Sequence, residues 1–217
     1  MLSYAAGGRA SDPHHRMTEA EEPRPLSHYG RSKHLAEKGL LSLHRPGQFD
    51  VAILRPSMFY GPPVPDRHID VYRRVQTGRM PLIGCGDYAR SITYIDNLVQ
   101  ATRLALTHHA AAGEIFYVVD EPVYTTRQIV EAMAHALGVA PQFQRLPSLI
   151  GPLAHTADSM LAALGIYWQT LHLVGESTWD VGIDCGKARR LLGYHPVMEL
   201  HAGIQHAVEW CRSQGKL

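Results

Sequence analysis

Tyr29 and Lys33 are the two residues whose types and spacing could transfer a proton. Residues four apart on an α-helix share a face, so the phenol and the ammonium can lie side by side. A free phenol has a pKa near ~10 and is a poor base at neutral pH, but a neighbouring cation favours the phenolate. Such a pair could interconvert an alcohol and a carbonyl, with a further hydroxyl holding the substrate oxygen. Because Y-x-x-x-K also occurs by chance, a solvated lysine beside a half-buried tyrosine is the alternative.

The segments around this pair predict the helices and strands that would position it. A helix is expected over residues 27–44, which would carry both side chains. Short apolar runs at 51–54 and 114–119 predict strands that are buried on both faces, as in a parallel sheet. Asp96 is expected to cap a helix that ends near residue 109. The alternation of strands and helices along the chain predicts an α/β fold.

Composition excludes several classes of protein. The 217 residues are enough to bury a core in one large or two small domains. Lys and Arg number 21 against 20 Asp and Glu, a net charge of +1, which argues against a binder of nucleic acid or of membrane surfaces. No apolar run approaches the ~18 residues that a membrane span needs. The N-terminus lacks a basic stretch followed by an apolar one, so no signal peptide is expected.

The cysteines and histidines predict neither disulfides nor a metal site. Three cysteines at distant positions, with no C-x-x-C, indicate the reducing cytoplasm. The histidine pairs are adjacent or five apart, which suits zinc geometry poorly. A helix is also expected over 149–164. Three methionines are expected to fill the core: Met133, Met160 and Met198. Three tryptophans are expected to anchor the C-terminal packing: Trp168, Trp179 and Trp210.

Four segments in this order resemble a known family. They are Tyr29-Gly-Arg-Ser-Lys33-His-Leu-Ala-Glu37, Ile53-Leu54-Arg55-Pro56-Ser-Met-Phe-Tyr60-Gly61-Pro62, Ser91-Ile-Thr-Tyr-Ile-Asp96-Asn97, and Lys187-Ala-Arg-Arg-Leu-Leu-Gly193-Tyr194-His-Pro196. Together they resemble the extended short-chain dehydrogenase/reductases, the NAD-dependent epimerase/dehydratase and hydroxysteroid-dehydrogenase-like group. The resemblance covers nearly the whole chain, and the combination is far more specific than any one segment.

The resemblance implies three catalytic residues. Ser3 would orient the substrate oxygen, Tyr29 would transfer the proton, and Lys33 would favour the phenolate and hold the nicotinamide ribose. Ser3 lies in Ser3-Tyr4-Ala5-Ala6-Gly7-Gly8, which matches the family pattern S-S-x-x-x-Y-G in part, with Gly7 in place of its tyrosine. A loose N-terminal loop is the alternative for Ser3.

The resemblance also implies residues that contact cofactor and substrate. Pro56, Ser57 and Met58 would form the loop beside the nicotinamide ring. Many nucleotide-sugar members have Asn at the place of Met58, so this departure favours a less polar ligand, which Met58 would contact. Arg90 stands where many members bind phosphate, with an ordinary surface arginine after a turn as the alternative. Asn97 would contact substrate from the first turn of its helix, although support of the helix start is the simpler account.

The implied architecture is the C-terminal part of a doubly wound Rossmann-like parallel sheet with a smaller mixed α/β substrate-binding domain. Residues 1–60 and 92–122 would form the first part, and residues 61–91 and 123–217 the second. Neither G-x-G-x-x-G nor G-x-x-G-x-x-G occurs, so the turn that holds the dinucleotide pyrophosphate is absent from the sequence. The chain is expected to begin where the family's fifth strand ends. A separate chain, a misassigned gene start, or a rearranged or dimerised protein could each account for this.

Two functions follow from these observations. The first is an NAD(P)-dependent oxidoreductase or epimerase acting on a hydroxyl or carbonyl of a sugar nucleotide, a steroid-like compound or a related small molecule, incomplete and inactive alone. NAD and NADP are not distinguished, because the deciding residue belongs to the absent half. The alternative is a non-catalytic, truncated relative that acts as a binding or assembly module. The expected partners are a small-molecule substrate and either a second copy or a complementing N-terminal half, without nucleic acid or membrane.

Overall fold

The computed structural model describes residues 15–25 and 28–217, so Ser3 lies outside the described residues. Its helices and strands alternate along the chain. In order they are α1 (His28–Ser42), β1 (Ile53–Pro56), β2 (Met58–Tyr60), α2 (Asp66–Gln76), β3 (Met80–Ile83), β4 (Ala89–Arg90), β5 (Ile92–Tyr94), α3 (Ile95–Thr107), a 3₁₀ turn (His109–Ala111), β6 (Ile115–Val118), β7 (Tyr124–Thr125), α4 (Thr126–Leu137), β8 (Phe143–Leu146), α5 (Ile150–Ala163), α6 (Gln169–Glu176), α7 (Gly186–Leu192) and α8 (Leu200–Ser213).

Parallel strand pairs form the centre of the fold. β1 pairs with β6, from Ile53 opposite Ile115 to Pro56 opposite Val118. β2 pairs with β5 and β3 with β8, also in parallel, whereas β4 and β7 are antiparallel. The residues of β6 are almost entirely buried, as expected of a parallel strand covered on both faces. The predicted α/β class is therefore confirmed.

Two hydrophobic cores flank these strands. The first joins β6 to α3 and α7 and includes Phe116 and Val118, which are fully buried. The second joins α2, α4 and α8, and its residues include Ile204 and Val208. The rings of Tyr60 and Tyr94 meet edge to face in the second core, with centroids 5.3 Å apart. Strands β2 and β5 therefore contribute to the second core as well as to the sheet.

The start of α3 differs from the prediction. Asp96 was expected to cap the helix, but the helix begins at Ile95 with Tyr94 as its cap residue, and Asp96 lies in the first turn. The cap residue offers no side-chain hydrogen bond. Instead, both carboxylate oxygens of Asp120, which follows β6, accept from the backbone N–H of Tyr94 at 3.0 Å. Asp120, which is distant in sequence, therefore takes the place of a local cap, and the residues around Asp96 could not indicate it.

Asn97 joins the two cores through hydrogen bonds of a fully buried side chain. Its Nδ2 donates to Oδ1 of Asp120 at 2.7 Å and to the carbonyl of Met198 at 3.1 Å. Its Oδ1 accepts from the backbone N–H groups of Val197 and Met198. Burial raises the pKa of Asp120, while the hydrogen bonds from Asn97 and Tyr94 act in the opposite direction. Asn97 thus ties α3 to the end of β6 and to the segment before α8.

Replacing Asn97 by alanine should destabilise the protein by about 2–4 kcal/mol, because each buried polar group left without a partner costs roughly 1–3 kcal/mol. The measurement is the free energy of unfolding in urea. Val99→Ala, on the half-exposed face of the same helix, is the matched control and should change stability by less than about 1 kcal/mol. Equal effects of the two substitutions would contradict the role given to Asn97.

Among the described residues, no helix is long and apolar enough to cross a bilayer.

Candidate active site

Tyr29 and Lys33 lie next to each other on one face of α1. The Nζ atom of Lys33 is 5.4 Å from the centroid of the Tyr29 ring, within the range of a cation–π contact. The side chain of Tyr29 is 51% exposed, so a small molecule can reach its hydroxyl. Neither the Tyr29 hydroxyl nor the Lys33 ammonium donates a hydrogen bond to another described residue. The pair thus has the side-by-side placement that an interval of four residues predicts.

A buried ion pair fixes the helix that carries them. Nη2 of Arg55 donates to Oε2 of Glu37 at 2.7 Å, and Nε of Arg55 donates to Oε1 at 3.0 Å. The two side chains are 4% and 9% exposed. A bidentate arginine–carboxylate pair constrains both the distance and the orientation of its partners. The pair therefore sets the position and the rotation of α1 over β1.

Glu37 continues the stripe that Tyr29 and Lys33 begin, since the three residues follow one another at intervals of four. Because a helix rises 1.5 Å per residue, Tyr29 lies roughly 12 Å along the axis from the buried carboxylate. Within residues 29–42, only Gly30 and Glu37 are buried. The direction of the Tyr29–Lys33 face thus depends on the contact between Glu37 and Arg55.

The sequence motifs contained Arg55 and Glu37, but no role was predicted for either residue. Two signals could have revealed them: an arginine at the end of an otherwise apolar strand, and a glutamate one turn beyond Lys33. Arg55 also lies over the ring of Tyr117 in the neighbouring strand, 5.5 Å from its centroid. Burial raises the pKa of Tyr117, and the charge of Arg55 opposes that change.

The predicted cofactor loop follows directly after Arg55. Ser57 is buried, with its backbone N–H donating to Oγ1 of Thr93 at 3.2 Å and its hydroxyl donating to the carbonyl of Ser91. Met58 is 44% exposed, and Pro56 is half-buried at the carboxyl end of β1. Of the three residues, Met58 presents the most accessible side chain, whereas the Ser57 hydroxyl joins β1 to β5. Their contacts with a cofactor remain predictions.

Arg90 uses its guanidinium to hold the end of α6. Nη2 donates to the carbonyls of Glu176 at 2.9 Å and Ser177 at 2.7 Å, and Nη1 donates to the carbonyl of Trp179. These carbonyls include groups that a helix end leaves without intrahelical partners. A contact between Arg90 and a substrate phosphate, which stays a prediction, would have to compete with these bonds.

Asn97 lies in the packed interior, where all of its amide hydrogen bonds go to protein groups. The described structure links α1, which carries Tyr29 and Lys33, to β1, which ends at Pro56, through the buried ion pair between Glu37 and Arg55. Arg90 and Asn97 have structural partners of their own. Substrate contact by Asn97 stays a prediction.

Comparison with known proteins identifies the family of the chain. The NAD dependent epimerase/dehydratase family matches residues 3–119, more than half of the chain. The chain belongs to this family. The uncharacterised protein y4nL of Sinorhizobium fredii is 38% identical over 94% of the chain and 60% of its own length. The UDP-glucose 4-epimerase of Vibrio cholerae is 29% identical over 85% of the chain and 54% of its own length. The chain thus spans less than two thirds of these relatives.

Solved structures support the same fold. The UDP-glucuronic acid 4-epimerase of Bacillus cereus, solved in complex with UDP-glucuronic acid and NAD, superposes with a TM-score of 0.70 at 21% identity. The match covers 97% of this chain and 59% of the epimerase. The predicted relation to a Rossmann-like sheet is confirmed by this likeness.

The described residues fit one end of a nicotinamide dinucleotide. The ammonium of Lys33 and the hydroxyl of Tyr29 can donate to ribose and substrate oxygens. Met58, two residues after the end of β1, offers an exposed apolar side chain. For the pyrophosphate, the sequence provides neither of the two Gly-rich patterns that allow close approach to a helix N-terminus. The fit is therefore confined to the nicotinamide riboside.

Replacing Glu37 by alanine should cost about 3–5 kcal/mol of unfolding free energy, because it leaves the Arg55 charge buried without its partner. The double variant Glu37→Leu with Arg55→Met should recover most of that loss, since it removes both charges. Denaturant unfolding of the single and double variants measures the coupling.

The matched control is Glu114→Ala. Glu114 also lies 2.7 Å from a cation, Lys187, but it is 46% exposed, so its removal should cost at most about 1 kcal/mol. If Glu37→Ala is no more damaging than Glu114→Ala, the buried pair does not anchor α1.

Proposed function

We propose that this chain carries the proton-transfer residues of an NAD(P)-dependent oxidoreductase or epimerase. The substrate would be a hydroxyl or carbonyl of a sugar nucleotide, a steroid-like compound or a related small molecule. The observation that supports this most directly is the stripe of Tyr29, Lys33 and Glu37, whose buried end is bonded to Arg55. Ligands of open α/β sheets bind beyond the carboxyl ends of the strands, and β1 ends one residue after Arg55.

In this proposal the chain moves a proton. The Tyr29 hydroxyl gives its proton to a substrate carbonyl oxygen, or the Tyr29 phenolate takes the proton from a substrate hydroxyl, and the Lys33 ammonium stabilises that phenolate. Lys33 also donates to the ribose hydroxyls, and Ser3 orients the substrate oxygen as the family resemblance implies. A bound nicotinamide supplies or accepts the hydride. Pro56, Ser57 and Met58 border the nicotinamide ring.

The exposed surface near β1 bears on the class of substrate. Met58 and Phe59 are 44% and 40% exposed, so the surface after the strand is apolar. The guanidinium of Arg90 already donates to four backbone carbonyls. Both features favour a ligand with an apolar part over one recognised through phosphate alone. The relation to a UDP-glucose 4-epimerase supports a sugar nucleotide, so both classes stay within the proposal.

A second candidate function is a non-catalytic binding or assembly module. The exposed leucines of α1 favour it, since Leu35 and Leu43 are 68% and 56% exposed on the helix that bears Tyr29. Such residues suit a surface covered by another polypeptide. A complementing N-terminal half or a second copy would cover the same residues in the catalytic proposal, so activity and cofactor binding decide between the two.

The chain alone should bind nicotinamide mononucleotide weakly and adenosine monophosphate not at all. Lys33→Met should abolish saturation-transfer NMR signals from the nicotinamide and ribose protons, because the ribose loses its ammonium donor. Lys38→Met, an exposed lysine later on the same helix, is the matched control and should retain them. Micromolar affinity for NAD(H) or NADP(H) by calorimetry would contradict the absence of a pyrophosphate cradle.

Turnover should depend on Tyr29 once a dinucleotide-binding half is supplied. The assay uses a fusion of this chain with the part of y4nL that the chain does not match. It follows the formation of reduced nicotinamide or of an epimer, with sugar nucleotides and sterols as substrates. Tyr29→Phe should lower turnover roughly 100- to 10,000-fold, the usual contribution of general acid–base catalysis.

Tyr167→Phe is the control for this substitution, because Tyr167 is 59% exposed, close to the exposure of Tyr29, and lies outside the site. Its turnover should equal that of the unsubstituted fusion. Unchanged turnover in Tyr29→Phe would remove Tyr29 from the mechanism. A folded fusion that binds nicotinamide nucleotides but converts no substrate would favour the non-catalytic module.

A further inference from the structure

Three ionisable side chains of the helix pair α5–α6 face one another, while several large apolar side chains of α5 are exposed. Nδ1 of His172 lies 2.8 Å from Oδ2 of Asp158, and Nε2 of His172 lies 3.3 Å from Oε1 of Glu176. These three side chains are 12%, 12% and 19% exposed. The contact between His172 and Asp158 links α6 to α5. The titratable groups of the hairpin are therefore turned towards one another.

The opposite face of α5 is apolar and exposed. Leu149, Leu153, Met160 and Leu164 follow at intervals of four, seven and four residues, which places them on one side of the helix. They are 69%, 67%, 65% and 75% exposed. The prediction that Met160 fills the core is wrong, because α5 packs on α6 through another side and leaves this methionine exposed.

The turn after α5 extends the apolar surface. Ile166, Tyr167 and Trp168 are 52%, 59% and 59% exposed. The prediction that Trp168 anchors the C-terminal packing is therefore also wrong, whereas Trp179 is buried. We call the seven exposed residues of α5 and this turn the apolar face; they are Leu149, Leu153, Met160, Leu164, Ile166, Tyr167 and Trp168.

Two other exposed hydroxyls on α5, those of Thr156 and Ser159, are bonded within the helix. Oγ1 of Thr156 donates to the carbonyl of Pro152, and Oγ of Ser159 donates to the carbonyl of His155, each at 2.9 Å. A hydroxyl in water needs no such bond, but one in hydrocarbon does, since no solvent is there to accept it. These two bonds, of a kind that also occurs at Ser42 and Thr102 on other helices, remove one cost of placing this side of α5 in an apolar medium.

The charge pattern supports the same conclusion. Between Arg145 and Glu176 the sequence has a single charged residue, Asp158, and its carboxylate is turned inwards to His172. Surfaces that bind proteins usually surround an apolar centre with a polar rim and are enriched in arginine. This stretch has no lysine or arginine, whereas tyrosine and tryptophan at its end are typical of a membrane–water interface.

We propose that the apolar face binds the surface of a lipid bilayer, with α5 lying in the interface. A helix of 14 residues spans roughly 21 Å, less than the ~30 Å of a hydrocarbon core, so it would lie on the membrane rather than cross it. Attachment uses apolar area and not basic charge. The prediction of no membrane partner rests on the balanced charge of the chain, and charge does not report on attachment through apolar area. The proposal is independent of the proposed catalytic function.

The test is flotation of the full chain with uncharged phosphatidylcholine vesicles. The protein should rise with the vesicles, and the bound fraction should be the same in low salt and in roughly 0.5 M salt, because no ion pairs are involved. The double variant Leu153→Glu with Met160→Glu should lose at least roughly tenfold in partition coefficient, as expected when buried apolar groups become charged. Leu106→Glu, at an 80% exposed leucine of α3, is the matched control and should float normally.

Tryptophan fluorescence gives a second measurement. Vesicles with brominated acyl chains should quench the emission of the native protein, and Trp168→Phe should remove most of that quenching. The proposal is overturned if the native chain stays with the unbound fraction, or if Leu106→Glu loses binding as the double variant does. It is also overturned if light scattering shows a dimer that the double variant converts to monomer while vesicles bind neither, since the face would then join two copies.

Discussion

The buried contact between Glu37 and Arg55 is the interaction on which the candidate site depends. Two opposite charges are withdrawn from water, which is costly unless geometry and hydrogen bonding are nearly ideal. Here two N–H groups of the guanidinium face two carboxylate oxygens, so both conditions are met. Hydrophobic side chains could hold α1 on the sheet with equal strength, but they would allow rotation about the helix axis. A bidentate pair allows far less, and the direction of Tyr29 and Lys33 follows from it.

Buried polar groups at the carboxyl ends of β1 and β6 make the rest of the site rigid. Oγ1 of Thr93 in β5 accepts from the N–H of Ser57, the residue after β1, and donates to the carbonyl of Val118 in β6. One hydroxyl thus links β5 to β6 and to the end of β1. Asp120 and Asn97 extend these bonds to α3 and to the segment before α8. These groups lie at the sheet edge where α/β proteins bind ligands, but most of their hydrogen bonds are internal. The proposed chemistry is therefore assigned to the exposed pair on α1 rather than to these buried groups.

The sequence predicts the parts of this structure that depend on local spacing. An interval of four places Lys33 beside Tyr29, short apolar runs mark β1 and β6, and the helix expected at 149–164 is present at Ile150–Ala163. It could not predict partners brought in from elsewhere in the chain. Asp120 replaces a local cap for α3, and the end of α6 occupies Arg90. Nor could periodicity show which face of α5 is buried, because an apolar stripe has the same spacing whether it meets a core or a bilayer.

The exposed leucines of α1 and those of α5 belong to physically different surfaces. A cavity of about 620 Å³ is lined by Leu40, Phe49, residues 51–54 and Leu106. Residues 51–54 include the first two residues of β1, so this cavity lies at the amino end of that strand. Within the described ranges β1 pairs with β6 on one side, and a strand edge offers N–H and C=O groups that a polypeptide can bond and a lipid cannot. The exposed hydroxyls of α5 have bonded to their own helix, so its surface makes no comparable demand. A complementing chain would therefore stabilise the first surface and do little for the second.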